Sequence, residues 1–133
     1  MKKVLGIIVI ALIFLGACGK SYEVKDLTKG FEDDGLNVKN EKKMSRDDFG
    51  AAPMKAEEAK IFVVDGDKHA RIMRFKNDDD LKQTKNYYDQ LGKESAMLYS
   101  HTYSKDNFLL QMNGEIENST FKKYTKSMDN TLK

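Results

Sequence analysis

The chain has 133 residues and carries 23 Lys and Arg against 21 Asp and Glu, which leaves a net charge of +2. This near balance argues against nucleic-acid binding, which requires clustered basic residues and a markedly basic domain. The single cysteine, Cys18, leaves no pair for a disulfide, and the length suffices for one domain with a hydrophobic core.

The N-terminus has the composition of an export signal. Lys2 and Lys3 precede twelve apolar residues, Val4 to Leu15. A short basic start followed by an apolar core of about 7–15 residues is typical of a secretory signal peptide. A transmembrane helix is the weaker interpretation, because twelve helical residues rise only about 18 Å at ~1.5 Å each, against a hydrocarbon core of ~30 Å.

The apolar stretch ends in Leu15-Gly16-Ala17-Cys18. This ending resembles the lipobox of bacterial lipoprotein precursors. In that family a diacylglycerol is attached to the cysteine thiol, and a signal peptidase cuts immediately before the cysteine. The resemblance implies that residues 1–17 are a signal peptide, that cleavage falls between Ala17 and Cys18, and that Cys18 is the lipidation site. Two acyl chains would hold the mature protein stably on the membrane.

The mature chain is predicted to contain a lipidated tether at 18–23 and a single domain at 24–133. The first predicted element is a helix over residues 22–34, which ends before Gly35 because glycine readily takes a left-handed conformation. Its apolar residues recur on one helical face: Val24, Leu27 and Phe31.

Residues 36–60 give weaker signals. Leu36 and Val38 alternate with polar residues and predict a short strand. Residues 40–60 are charged and contain the only proline, so we expect a surface loop with one helical turn at Lys55–Ala59. A loop of this length in a small domain is often functional or mobile.

The next segment predicts a β-hairpin. Ile61–Val64 is β-branched and aromatic, Asp65-Gly66 is a strong turn signal, and His69–Phe75 forms the returning strand. The alternation in these strands is imperfect, so the sequence does not indicate which face points inward.

A helix capped by Asn77 is expected to follow, with three aspartates in its first turn and Gly92 at its end. Its predicted buried stripe is Leu81, Thr84, Tyr88 and Leu91. A second hairpin is predicted from Met97–Tyr103 and Phe108–Met112. Asn118 or Ser119 would then cap a last helix with a stripe of Phe121, Tyr124, Met128 and Leu132.

These elements predict an α+β fold. Consecutive strands joined by tight turns are antiparallel, and helices with one apolar stripe need a sheet face to cover. We therefore expect a two-layer domain with a four- or five-stranded antiparallel sheet and helices packed on one face.

No set of residues predicts catalysis. Ser100, His101 and Asp106 contain the types of a catalytic triad, but strand neighbours such as Ser100 and His101 point to opposite faces. His101 is instead expected on the strand surface. Asp65-Gly66-Asp67 lacks the further ligands of a calcium loop, and two histidines without a free thiol do not form a zinc site. We expect no catalytic residue, no metal and no cofactor.

Four residues form a candidate interaction surface: Tyr87, Tyr99, His101 and Tyr103. Aromatic residues are favoured at interfaces, although they also fill cores. The Lys-rich, Trp-free mature chain is similar to small lipoproteins of low-GC Gram-positive bacteria, which implies an address on the outer face of the cell membrane.

The sequence favours a membrane-anchored, non-enzymatic binding module of that face, with an accessory or exclusion-type role and a protein or envelope partner. A small envelope-acting enzyme and a ligand-binding lipoprotein are the alternatives.

Overall fold

The computed structural model describes residues 21–133, so the predicted signal peptide, its cleavage site and Cys18 lie outside the described residues. Within this range the elements are α1 (Val24–Asp33), β1 (Lys39–Lys43), α2 (Arg46–Phe49), β2 (Glu58–Asp65), β3 (Lys68–Arg74), α3 (Asp78–Glu94), a 3-10 turn (Ala96–Leu98), β4 (Ser100–Lys105), β5 (Phe108–Asn113) and α4 (Asn118–Thr131). The five strands form one antiparallel sheet in the order β1-β2-β3-β5-β4. The predicted α+β class and antiparallel sheet are confirmed, with five strands.

Two hydrophobic cores lie on opposite faces of this sheet. On the first face, Phe62, Ile72 and Leu110 pack in one cluster with buried residues of α1 and α4. On the second face, the adjacent strand residues Ile61, Met73 and Leu109 pack with Leu81 and Tyr88 of α3. The expectation of helices on one face therefore describes α1 and α4, whereas α3 covers the other face.

The sequence contains a signal for this second layer. Ile61-Phe62 in β2 and Ile72-Met73 in β3 are adjacent apolar residues, and strand neighbours point to opposite faces. Such continuous apolar runs are typical of strands that are buried on both faces. The imperfect alternation in this hairpin is thus a consequence of double burial.

The predicted helical stripes are confirmed as buried: Val24, Leu27 and Phe31 in α1, Leu81, Thr84 and Tyr88 in α3, and Phe121, Tyr124, Met128 and Leu132 at α4. The Asn77 cap is also confirmed, because its side-chain oxygen accepts a hydrogen bond from the Asp80 amide at 2.9 Å. The predicted cap of the last helix is wrong. Glu117 occupies the N-cap position without a side-chain cap, and Asn118 and Ser119 lie inside the helix.

The segment between α1 and β2 differs most from expectation. The strand lies at Lys39–Lys43 rather than at Leu36–Val38, and all five of its residues are exposed, so it has no alternating pattern to detect. The helical turn lies at Arg46–Phe49, whereas residues predicted to be helical at Lys55–Ala59 run into β2.

A capping box starts α2. The Asp48 carboxylate accepts from the Ser45 amide at 2.8 Å, and the Ser45 hydroxyl accepts from the Asp48 amide at 3.4 Å. The backbone hydrogen bond from Ser45 lowers the pKa of Asp48. Met44 and Ala52 on either side of α2 are buried, so this part of the predicted loop is attached to the second core.

Across residues 21–133, no helix combines the length and the apolar character that crossing a bilayer requires.

Candidate functional site

An open cleft of about 640 Å³ lies on the face of the sheet that carries α3. Its floor consists of polar side chains from the ends of three adjacent strands: His69, Arg71, Ser100, Gln111 and Asn113. The 3-10 turn and Tyr99 form one wall, and the loop at Gly114-Glu115 forms another. A concave site with a few convergent polar groups is the usual form of a binding site.

Hydrogen bonds hold the floor of the cleft in place. Arg71 donates from Nη1 to Oε1 of Gln111 at 2.8 Å, and Gln111 donates from Nε2 to Oγ of Ser100 at 2.9 Å. Arg71 also donates from Nε to the carbonyl oxygen of Asp48 in α2 at 3.1 Å. Gln111 is only 4% exposed, so the network fixes the half-buried Arg71 guanidinium before any ligand arrives.

Three large residues project from the wall of the cleft into solvent. Met97 is 93% exposed, and Leu98 and Tyr99 are each 50% exposed. We call residues 97–99 the lip. The sequence predicted that a strand begins at Met97, but the chain forms a 3-10 turn whose start is capped by Ser95, and β4 begins only at Ser100. This turn directs apolar side chains away from both cores.

Two glycines fix the lip by making room for Tyr99. A Cβ on Gly92 of α3 would lie 3.1 Å from Cδ1 of Tyr99 and 3.3 Å from its Cα. A Cβ on Gly114 would lie 2.9 Å from the carbonyl carbon of Tyr99, and closer still to its carbonyl oxygen. Gly92 was predicted to end its helix, but α3 continues to Glu94, and the close approach of Tyr99 is the structural reason for a glycine there.

The second hairpin strand, β4, is attached to helices on both faces of the sheet. Thr102 donates to Asp89 of α3 at 2.6 Å. Burial opposes ionisation of Asp89, but the hydrogen bonds from Thr102 and Lys85 outweigh it and lower the pKa of this carboxyl. On the other face, the Tyr103 hydroxyl donates to Asp129 of α4, and this hydrogen bond, together with burial and the charge of Asp129, raises the pKa of Tyr103 to about 12. Both helices therefore fix the strand that follows the lip.

The four residues of the sequence-predicted surface occupy different environments. Tyr99 belongs to the lip and contacts the His101 ring, with ring centres 5.3 Å apart. Tyr103 is half-buried beside α4, and Tyr87 is half-buried on α3 beside the second core. The structure thus brings Tyr99 and His101 together and separates Tyr87 from them.

The expectation that His101 lies on the strand surface is wrong. His101 is 6% exposed, its ring stacks on Phe121 of α4 at 4.7 Å, and its Nε2 lies 2.7 Å from the carbonyl oxygen of Ile116. The chain after β5 folds back over this position, which local strand alternation does not reveal.

Sequence reasoning missed Arg71, Gln111, Met97 and Leu98 as site residues. A signal was present for Gln111, because a polar amide inside the apolar run Phe108–Met112 needs a hydrogen-bonding partner when it is buried. No comparable signal marks Met97, because its exposure depends on where the wall of the cleft turns.

The groups in the cleft are suited to hydrogen bonding and ion pairing. Among the described residues, no hydrogen bond joins Ser100 to His69 or His101, and no group of three His, Cys, Asp or Glu is placed to hold a metal ion. What the cleft offers a ligand is a cation, amides and hydroxyls beneath an apolar lip.

In comparisons with known proteins, no family model, no curated protein and no solved structure matches this chain.

Proposed function

We propose that this protein is a lipid-anchored binding module on the outer face of the cell membrane, and that it binds a protein partner of the cell envelope through the cleft and the lip. One observation carries the proposal. Met97 and Leu98 are exposed on a turn that Tyr99 fixes between two glycines, next to a polar floor that is already hydrogen-bonded.

The rigidity of the lip supports a binding role. Exposing large apolar side chains next to each other is unfavourable in water, and such patches in soluble domains are typical of interaction sites. A side chain that is already held in position loses less conformational entropy when a partner binds. An apolar anchor beside a polar rim with satisfied hydrogen bonds is the arrangement expected of a specific interface.

The position of the chain's start supports the membrane orientation. Ser21 and Tyr22 lie beside Arg74, Asp106 and Lys133, around a cavity of about 350 Å³ at one end of the sheet. Tyr22 donates to the carbonyl oxygen of Lys133 at 3.3 Å. The cleft lies at the other end of the same strands, since β5 begins beside this cavity and ends in the cleft, about 17 Å away at ~3.4 Å per residue.

Covalent geometry then limits where a lipid on Cys18 can reach. Three residues span at most about 11 Å, so a lipidated Cys18 would lie close to Ser21. The end of the sheet that carries Ser21 would therefore rest near the membrane, and the cleft would face away from it. A partner could approach the lip without displacing lipid.

The test places a photo-crosslinking amino acid at Met97 in intact cells. The matched control carries it at Lys126, which is exposed on α4, on the other face of the sheet. We expect one discrete protein adduct from position 97, absent from position 126, which the purified partner forms again with the purified lipoprotein. The same adducts from both positions, or none from position 97, would contradict binding at the cleft.

A second experiment tests the anchor separately. Cys18→Ala should leave the precursor unprocessed by a lipoprotein-type peptidase and remove the mass of the lipid. If this variant has the same mature mass and fractionates with the membrane as firmly as the parent, Cys18 is not the lipidation site.

A further inference from the structure

We propose that the cleft binds an extended peptide segment that carries one acidic side chain, and that Arg71 holds its carboxylate. This inference rests on the proposed binding function and specifies the chemistry of the partner. It is carried by the unused hydrogen-bonding capacity on the floor of the cleft.

Arg71 has more donors than its neighbours accept. A guanidinium has five N–H groups, and Arg71 directs one to Asp48 and one to Gln111. Within the described part of the chain, no carboxylate lies within ion-pairing distance of it. The remaining N–H groups belong to a cation held at a fixed position, and an Arg fork matches the two oxygens of a carboxylate.

A second unused donor lies nearby. Tyr88 is 6% exposed, and its hydroxyl has no hydrogen-bonding partner among the described residues. Burial raises the pKa of Tyr88, and the charge of Arg71 opposes this rise, so the two groups are near enough to interact. A phenol that stays protonated and a guanidinium both donate, and together they favour an acceptor that carries negative charge.

The rest of the cleft favours a peptide. Asn113 uses its Oδ1 to accept from the Glu115 amide at 2.8 Å, which leaves its side-chain NH₂ for a ligand carbonyl. The lip offers Met97 and Leu98, which suit an apolar side chain next to the acid. Glu115 is exposed at the wall of the cleft and disfavours a densely charged phosphate polymer, whereas a segment with one carboxylate avoids this repulsion.

The experiment selects ligands from random heptapeptides displayed on phage, using the full lipidated chain in detergent micelles. We expect the enriched peptides to share one Asp or Glu beside an apolar residue. Synthetic peptides in which this acid is replaced by its amide should bind about tenfold more weakly, because a charge-assisted hydrogen bond is lost. A polyglycerol phosphate competitor should leave the binding unchanged.

Variants assign the effect to Arg71. Arg71→Gln should bind the acid and amide peptides within about twofold of each other, whereas Lys93→Gln, an exposed charge change near the end of α3, should keep the full preference. If Arg71→Gln proves unfolded by circular dichroism, Arg71→Lys replaces it, and this variant should retain part of the preference because it keeps the charge without the fork.

Three outcomes would overturn the proposal: no enriched peptide, enriched peptides without an acid, or displacement of the peptides by the phosphate polymer. All three leave the crosslinking result from Met97 standing, so this inference and the proposed function fail separately.

Discussion

Replacing Gly114 with alanine tests whether the lip is fixed by the close approach of Tyr99. The new Cβ would lie 2.8 Å from Cδ2 of Tyr99 and 2.9 Å from its carbonyl carbon, both closer than ordinary packing permits. Overpacking of this kind costs typically about 1–3 kcal/mol. The loss of glycine's freedom in the unfolded chain returns about 0.4–1 kcal/mol. We therefore expect Gly114→Ala to lower the free energy of unfolding by roughly 1–2 kcal/mol.

Gly92 provides the matched comparison, because its nearest neighbour is the Tyr99 side chain. A Cβ there would lie 3.1 Å from the Tyr99 ring, which Tyr99→Ala removes. In that background Gly92→Ala should stabilise the protein by about 0.5–1 kcal/mol through helix propensity, since Gly92 lies within α3. The stabilisation should be smaller in the wild-type background. Tyr99→Ala should not rescue Gly114→Ala, whose closest contact is the main chain of residue 99.

Urea denaturation followed by far-ultraviolet circular dichroism measures all of these variants on the same footing. The free energies come from linear extrapolation, with the slope checked for constancy across the series. The reasoning fails if Gly114→Ala is as stable as the wild type, or if Tyr99→Ala restores its stability completely. Either result would mean that the main chain at Tyr99 moves freely and that the lip is not held in place.

Three further predictions follow from the contacts of the described residues. Asn77→Ala should destabilise the protein by about 1 kcal/mol through loss of the α3 cap, whereas Asn86→Ala on the exposed face of the same helix should be close to neutral in urea denaturation. Tyr103 has its pKa raised to about 12, above its ordinary value of 10.0, so the folded state holds this proton more tightly and the resulting stabilisation is present below pH 10 and lost as the pH rises towards 12. Tyr103→Phe should therefore flatten the fall in melting temperature over that alkaline range, whereas Tyr22→Phe should leave it unchanged. His101→Ala should lower the melting temperature by several degrees, because it removes a buried ring that stacks on Phe121, and an exposed control, His69→Ala in the open cleft, should have the smaller effect.

The helices and the central hairpins follow from sequence because their signals are local. The stripe of Leu81, Thr84 and Tyr88 repeats at helical spacing, and Asn77 caps the first turn of the helix that buries it. The edge strand Lys39–Lys43 has no such pattern, since its residues are exposed on both faces and only pairing with β2 defines it. Local signals therefore find the elements that bury one face of their own.

The candidate site was harder to predict because its features depend on contacts between distant segments. Arg71 becomes a fixed cation through Gln111, 40 residues later, and through the main chain of Asp48, 23 residues earlier. Tyr99 was identified from its type alone, and its position between Gly92 and Gly114 appears only in the folded chain. His101 shows the opposite error, because a residue that strand alternation placed on the surface is covered by α4.

The edges of the sheet explain why recognition would fall to the cleft rather than to strand addition. The edge strand β1 carries Lys39, Lys42 and Lys43, its register shifts between Lys39 and Lys42, and Asn40 takes a positive φ of 53°. Charges and irregular backbone on an edge discourage pairing with another strand. The other edge, β4, has its side chains engaged by α3 and α4 on the two faces of the sheet. A partner that approaches from the side facing away from Ser21 therefore meets the lip and the floor of the cleft, where side chains rather than main-chain edges are available to bind it.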